Sequence, residues 1–140
     1  QQSRVESVRL KFNPIREILE GKRVVMVDDS VVRGTTAKKI MRMVRQAGAK
    51  EIHFRITAPP WKNPCYYGID TPDKELLIAN QMNEDQMAKH FGVDSIGFIS
   101  MEGLMRSAPQ TMKYCTACFN GLYPDGRPRS SHKSAAVRKC

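Results

Sequence analysis

Two hydrophobic periods alternate along the chain. Val24, Val25, Met26 and Val27 form an unbroken apolar run, long enough for a buried strand and far too short for a membrane span. After Thr36, apolar residues recur at helical spacing: Ala37, Ile40, Met41, Val44 and Ala47, with Gly48 closing the helix. Lys38, Lys39, Arg42 and Arg45 occupy its other face, which reads first as a solvated surface and second as an anion site. Residues 51–57 switch to period two, Ile52, Phe54 and Ile56 against His53, Arg55 and Thr57, the signature of a second strand. Strand, helix and strand of these lengths predict a right-handed crossover with parallel strands.

The flanks are more broken. Val8, Leu10 and Phe12 alternate with Arg9 and Lys11, which predicts a short extended segment. Asn13 then caps a helix with Pro14 in its first position, Ile15, Ile18 and Leu19 as its stripe, and Gly21 as its stop. Downstream, Ala58-Pro59-Pro60 ends the second strand and residues 61–72 form a proline-bearing loop. A short helix is expected over 74–79, and a second one capped by Asn83 runs to Phe91 and stops at Gly92. Residues 95–99 read as a third strand, and Ser100 caps a helix containing Leu104 and Met105. From Ala108 the pattern fades. Residues 124–140 are polar, basic and rich in Gly, Pro and Ser, so the chain divides into a folded part, 1–123, and a disordered tail, 124–140.

The candidate chemistry sits where the first strand meets its helix. Asp28 and Asp29 follow the apolar run at once, and Ser30, Arg33, Gly34, Thr35 and Thr36 lead into the helix. Unpaired N–H groups at a helix start hold a phosphate, and nearby hydroxyls add donors. The two carboxylates can accept hydrogen bonds from sugar hydroxyls or hold a hard cation such as magnesium. Phosphate donors beside diol acceptors make a site for a phosphorylated ribose. The bland alternative, an Asp-Ser helix cap with a solvated neighbour, accounts for one aspartate but not for two.

Composition narrows the class. The chain has 140 residues, 41% of them hydrophobic, which suits one globular domain at most. It carries no long apolar stretch and no secretory leader pattern at Gln1, so a cytoplasmic protein without a membrane anchor is expected. The first residue is not Met, and the chain reads as part of a longer one. The net charge of +9 calls for an anionic partner. Nucleic acid is the weaker reading, because aromatic residues do not interleave with Lys and Arg as a stacking platform requires. Four cysteines are present: Cys65 in the proline-bearing loop, the pair Cys115 and Cys118 at Cys-x-x-Cys spacing, and Cys140 in the tail. Without a secretory signal disulfides are disfavoured, and thiols at this spacing suit zinc or an iron–sulfur cluster.

The stretch G-K-R-V-V-M-V-D-D-S-V-V-R-G-T-T resembles the ribose-phosphate loop of type I phosphoribosyltransferases. Together with A-G-A-K-E-I-H-F-R-I, P-C-Y-Y-G-I-D, S-M-E-G-L and C-T-A-C-F-N-G-L-Y-P, the chain is similar to the C-terminal part of the amidophosphoribosyltransferases. The resemblance implies an α/β fold, a partial type I phosphoribosyltransferase domain whose first strands lie upstream. A sheet of this kind has about five strands. It implies glutamine-derived ammonia displacing pyrophosphate from phosphoribosyl pyrophosphate, at the first step of purine synthesis, with the glutaminase domain upstream. Asp28 and Asp29 are then catalytic and magnesium-supporting, and Ser30, Arg33, Gly34, Thr35 and Thr36 hold the 5-phosphate. Lys11 and Asn13 fall in a segment near the same site. Cys65, Cys115 and Cys118 fall on three ligand positions of the 4Fe–4S cluster found in one branch of the family, the fourth ligand lying outside this chain. Purine nucleotide inhibitors and a homo-oligomer of the longer protein are also implied, while the chain by itself is expected to be inactive. Two other classes stay open: a ribose-phosphate or nucleotide-binding module without chemistry, and a small Cys-x-x-Cys metal-binding protein.

Overall fold

In the computed structural model of the protein, residues 14–126 are described. Three strands, β1 (Arg23–Asp28), β2 (Glu51–Ile56) and β3 (Ser95–Phe98), form one sheet in the order β1-β2-β3. Both pairs are parallel, with Met26 opposite Phe54 and Phe54 opposite Ile96. The described part is thus the parallel α/β arrangement expected, with the first two strands where the two apolar periods placed them.

A short helix, α1 (Arg16–Leu19), precedes the sheet, and α2 (Thr35–Gln46) connects β1 to β2. A 3-10 turn (Lys74–Leu76), α3 (Ile78–Gln81) and α4 (Glu84–Phe91) lie between β2 and β3. Two further short helices follow, α5 (Met101–Ser107) and α6 (Ala117–Asn120). One face of β2 presents Ile52, Phe54 and Ile56, none more than 2% exposed. They share one core with Ala37, Met41 and Val44 of α2 and with Met87 and Phe91 of α4. The Phe54 and Phe91 rings meet edge to face with centroids 5.8 Å apart, a favoured geometry for the aromatic quadrupole.

Several local expectations shift. The first helix begins at Arg16 rather than Pro14, with Ile15 in extended backbone before it. Asn13, the expected cap, and the 8–12 segment lie outside the described residues, as does Cys140. The helix expected over 74–79 is two pieces, because Leu77 adopts extended backbone and is fully buried. Burial of that side chain outweighs helix continuity, since a single turn gains little by itself. Helix α6 lies in the stretch where the periodicity fades; at four residues it is too short to show a period. Asn83 does cap α4: its side chain accepts from the Gln86 N–H while the Gln86 side chain accepts from the Asn83 N–H, each at 2.9 Å.

The unbroken run at 24–27 predicts burial on both faces, but only one face of β1 is covered by described residues. Val25 and Val27 are 61% and 64% exposed. They lie on the side of the sheet that also carries His53 and Arg55. His53 bridges Ser95 Oγ and Glu51 Oε2 there, at 2.9 and 3.2 Å, a strand-to-strand tie.

At the N-terminal edge of the sheet, Asp94 accepts a hydrogen bond from the Ile52 N–H at 2.7 Å and pairs with Arg45 at 2.6 Å. The Ile52 N–H first, and Arg45 second, hold its carboxyl below the ordinary value of 3.8. A carboxyl depressed in the folded state stabilises fully above its unfolded value and loses that contribution as pH falls through the folded one. Asp94→Asn is therefore expected to lower stability by about 1 kcal/mol at neutral pH, after screening of a half-exposed pair. It should also flatten the acid limb of the stability curve, as followed by urea melts across pH.

Candidate functional site

In open parallel sheets, ligands bind beyond the carboxyl ends of the strands. A cavity of about 380 Å³ lies there, beyond Asp28 at the end of β1. It is lined by Asp28, by the whole turn from Ser30 to Ala37, and by Asp70 and Pro72. Every phosphate-holding residue expected from sequence, Ser30, Arg33, Gly34, Thr35 and Thr36, is thus brought to one cavity. Asp29 is exposed and is not among the lining residues. Its carboxylate accepts from the Ser30 hydroxyl at 2.9 Å, and its own N–H donates to Asp28 Oδ1 at 2.9 Å.

The turn is held from beneath. Val31 is buried in the core, and the Val32 carbonyl accepts from the Ile78 N–H at 2.9 Å. Gly34 stands at the start of α2 with φ of 74°, the left-handed conformation that side chains disfavour. A Cβ there would lie 2.7 Å from the Phe91 ring and 2.9 Å from Ile78. Only glycine lets the chain cross that point and enter the helix. Helix α2 has no side-chain cap and no acidic residue in its first turn, so its leading N–H groups are left open at the cavity. Arg33 is exposed at the rim and makes no ion pair or hydrogen bond among the described residues. The site therefore offers one cation, Arg33, and N–H donors along the turn, with the Asp28 carboxylate at its strand end and Asp70 on the second loop.

Sequence reasoning assigned no role to Asp70 or Pro72. Asp70 closes the P-C-Y-Y-G-I-D motif, quoted above only for its resemblance, and the only signal for a site role was its presence in that motif.

The phosphoribosyl transferase domain family matches residues 1–94. The chain belongs to that family. Among its relatives, the amidophosphoribosyltransferase of Methanocaldococcus jannaschii is 52% identical over 124 residues, which span 89% of this chain and 26% of the relative. That of a Synechocystis species is 44% identical over 135 residues, 96% of this chain and 27% of the relative. A solved structure of the glutamine phosphoribosylpyrophosphate amidotransferase from B. subtilis, complexed with ADP and GMP, superposes with a TM-score of 0.72 at 42% identity. It covers 84% of this chain and 28% of that one. The resemblance read from the phosphoribosyltransferase loop and its companion motifs is borne out. The chain spans about a quarter of the length of these amidophosphoribosyltransferase relatives (26% and 27%).

A second assembly involves the loop that carries Asp70 and Pro72. The 61–72 loop and the C-terminal segment are stitched together: the Lys62 and Asn63 N–H groups both donate to the Cys118 carbonyl, at 3.0 and 2.9 Å. The Tyr123 hydroxyl donates to the Pro64 carbonyl at 2.8 Å, and Trp61 packs edge to face on Phe119. Cys65, Cys115 and Cys118 are free thiols. Burial, with smaller contributions from the nearby Cys65 and Cys115, pushes the Cys118 thiol up to about 11. Among the described residues, no three His, Cys, Asp or Glu side chains stand in a metal-holding arrangement, either here or at the loop. No described helix is long and apolar enough to cross a membrane.

Proposed function

We propose that this chain supplies the ribose-5-phosphate half of an amidophosphoribosyltransferase site. In this reading, glutamine-derived ammonia displaces pyrophosphate from C1 of phosphoribosyl pyrophosphate and gives 5-phosphoribosylamine. The observation that carries it is the single cavity lined by Asp28 and the Ser30–Thr36 turn. Thr35 and Thr36, with the leading N–H groups of α2, hold the 5-phosphate; Ser30 and Arg33 complete the cradle. Binding energy from that remote phosphate is available at the reacting carbon. Asp28 and Asp29 accept from the ribose hydroxyls and stabilise the positive charge that grows on the ring as pyrophosphate leaves. Ammonia carries its own lone pair, so no base on this chain is required. Hard carboxylate oxygens suit magnesium, and when bound the ion neutralises the leaving pyrophosphate. With only two carboxylates in the turn, the substrate's oxygens and water would complete its shell.

The proposal extends to the whole protein: a glutaminase part, purine nucleotides as competitors for the ribose-phosphate site, a homo-oligomer, and a cytoplasmic setting. Exposed Val25 and Val27 support further chain packing on the open sheet face, since parallel sheets are covered on both sides. The test is phosphoribosylamine formation by the full protein from phosphoribosyl pyrophosphate and an ammonium salt, with magnesium present. Turnover is expected. Tight substrate binding with no turnover would favour the non-catalytic binding module instead.

For the thiols we propose a 4Fe–4S cluster held by Cys65, Cys115 and Cys118 with a ligand from elsewhere. Three soft thiol donors on stitched segments suit that group by donor type, although they do not stand in a holding arrangement in this structure, and when bound the cluster would supply a structural cross-link. The Cys118 thiol, pushed up to about 11 by burial, must lose its proton on binding, so loading should strengthen as pH rises. Anaerobic reconstitution with iron and sulfide, followed by visible absorbance, should be more complete at about pH 8 than at about pH 6. Cys118→Ser should abolish it. Zinc taken up in preference to the cluster would favour the plain metal-binding reading.

A further inference from the structure

A groove of about 290 Å³ runs between α2 and α4, and it shares no lining residue with the loop cavity. Its floor is Met41 and Phe91, both buried in the core, and its walls carry Lys38, Arg42, Lys89 and His90. Arg45 closes one end, already paired with Asp94. Lys38, Arg42 and Lys89 are exposed and make no ion pair among the described residues. No acidic side chain lines the groove. Three cations without an ionic partner among the described residues, gathered around one groove, form a local positive field that attracts an anion.

His90 reports that field. Burial first, and the Lys38 charge second, keep its imidazole below the ordinary 6.5. The groups facing it are Lys38, Arg42 and Arg45 from α2 and Lys89 from its own helix; Asp94 is spent on Arg45 and the Ile52 N–H. The sequence pattern assigned this basic face first to solvent, and the structure adds what solvation does not require, an apolar floor between two helices.

We propose that this groove is a second anion site, separate from the ribose-phosphate loop, taking a small organic phosphate whose apolar or aromatic body lies along the aliphatic stems of Lys38, Arg42 and Lys89, above Met41 and Phe91. The phosphate meets Lys38, Arg42 and Lys89. The site does not depend on the amidophosphoribosyltransferase reading, although Phe91 is shared: the same ring lies under Gly34 of the loop.

The test uses phenyl phosphate, which has an aromatic body and no ribose, titrated into the whole protein with ribose 5-phosphate saturating the loop. Binding is followed by the His90 ring resonances. Saturable binding is expected, with the His90 titration moving to higher pH as the anion offsets Lys38. Lys38→Gln with Arg42→Gln, both exposed and unpaired, should weaken binding at least about tenfold while the melting temperature is kept. Inorganic phosphate should bind more weakly than phenyl phosphate. No saturable binding, binding that survives the double change, or equal affinity for inorganic phosphate would each overturn the proposal. So would a single-stranded oligonucleotide that displaces the probe at far lower concentration, because the groove would then belong to a nucleic-acid surface.

Discussion

Gly34→Ala is expected to cut affinity for ribose 5-phosphate at least about 30-fold. Two costs add. The residue sits at φ of 74°, where a side chain costs about 1–2 kcal/mol. The new Cβ would press the Phe91 ring at 2.7 Å and Ile78 at 2.9 Å, overpacking that typically costs about 1–3 kcal/mol. Phe91 and Ile78 are buried, 3% and 2% exposed, and cannot retreat cheaply. The turn, open to solvent on its other side, is the part that gives way. It rises off the core and takes the Thr35 and Thr36 donors with it. A calorimetric titration reads the affinity, and a thermal melt separates loop displacement from unfolding. Unchanged affinity would mean that the turn does not hold the phosphate in the conformation described here.

The second large effect concerns the acidic pair. Asp28→Asn with Asp29→Asn should abolish detectable ribose 5-phosphate binding and leave the fold intact. Charge-assisted hydrogen bonds contribute about 1.5–3 kcal/mol each, so losing two costs at least about 100-fold in affinity. The fold should survive because the pair's internal roles are as acceptors only: Asp28 Oδ1 takes the Asp29 N–H and Asp29 Oδ1 takes the Ser30 hydroxyl. An amide oxygen accepts both. Asp29 lies off the cavity wall, so the single changes should divide unequally, with Asp28→Asn the more severe. Binding that survives the double change would remove the aspartates from the site.

Particular residues explain how much of this was legible in the sequence. The Val24–Val27 run has strand length and the Ile52, Phe54, Ile56 alternation has period two, and β1 and β2 lie there. Asn83 and Gly92 bound α4 because a capping box and a left-handed glycine are local chemistry that needs no tertiary partner. Leu77 was not legible, since its break in the helix goes with complete burial of its side chain, which no local pattern announces. The exposure of Val25 and Val27 was hidden for a similar reason: an apolar run states what a strand wants covered, not what covers it. Within the site, the turn was readable because its residues are consecutive. Asp70 and Pro72 reach the same cavity from a loop 40 or so positions away by way of the β1–β2 crossover, and no spacing announces that. The Phe91 ring beneath Gly34 is another such meeting, between a helix end and a loop.

The most direct measurement is an amide chemical-shift titration of the protein with ribose 5-phosphate in the presence of magnesium. The loop account predicts the largest shifts at Ser30, Arg33, Gly34, Thr35 and Thr36, with smaller ones at Asp28 and Asp70. Shifts confined to the α2–α4 groove or to the cysteine-bearing segments, with the 28–36 amides unmoved, would contradict it.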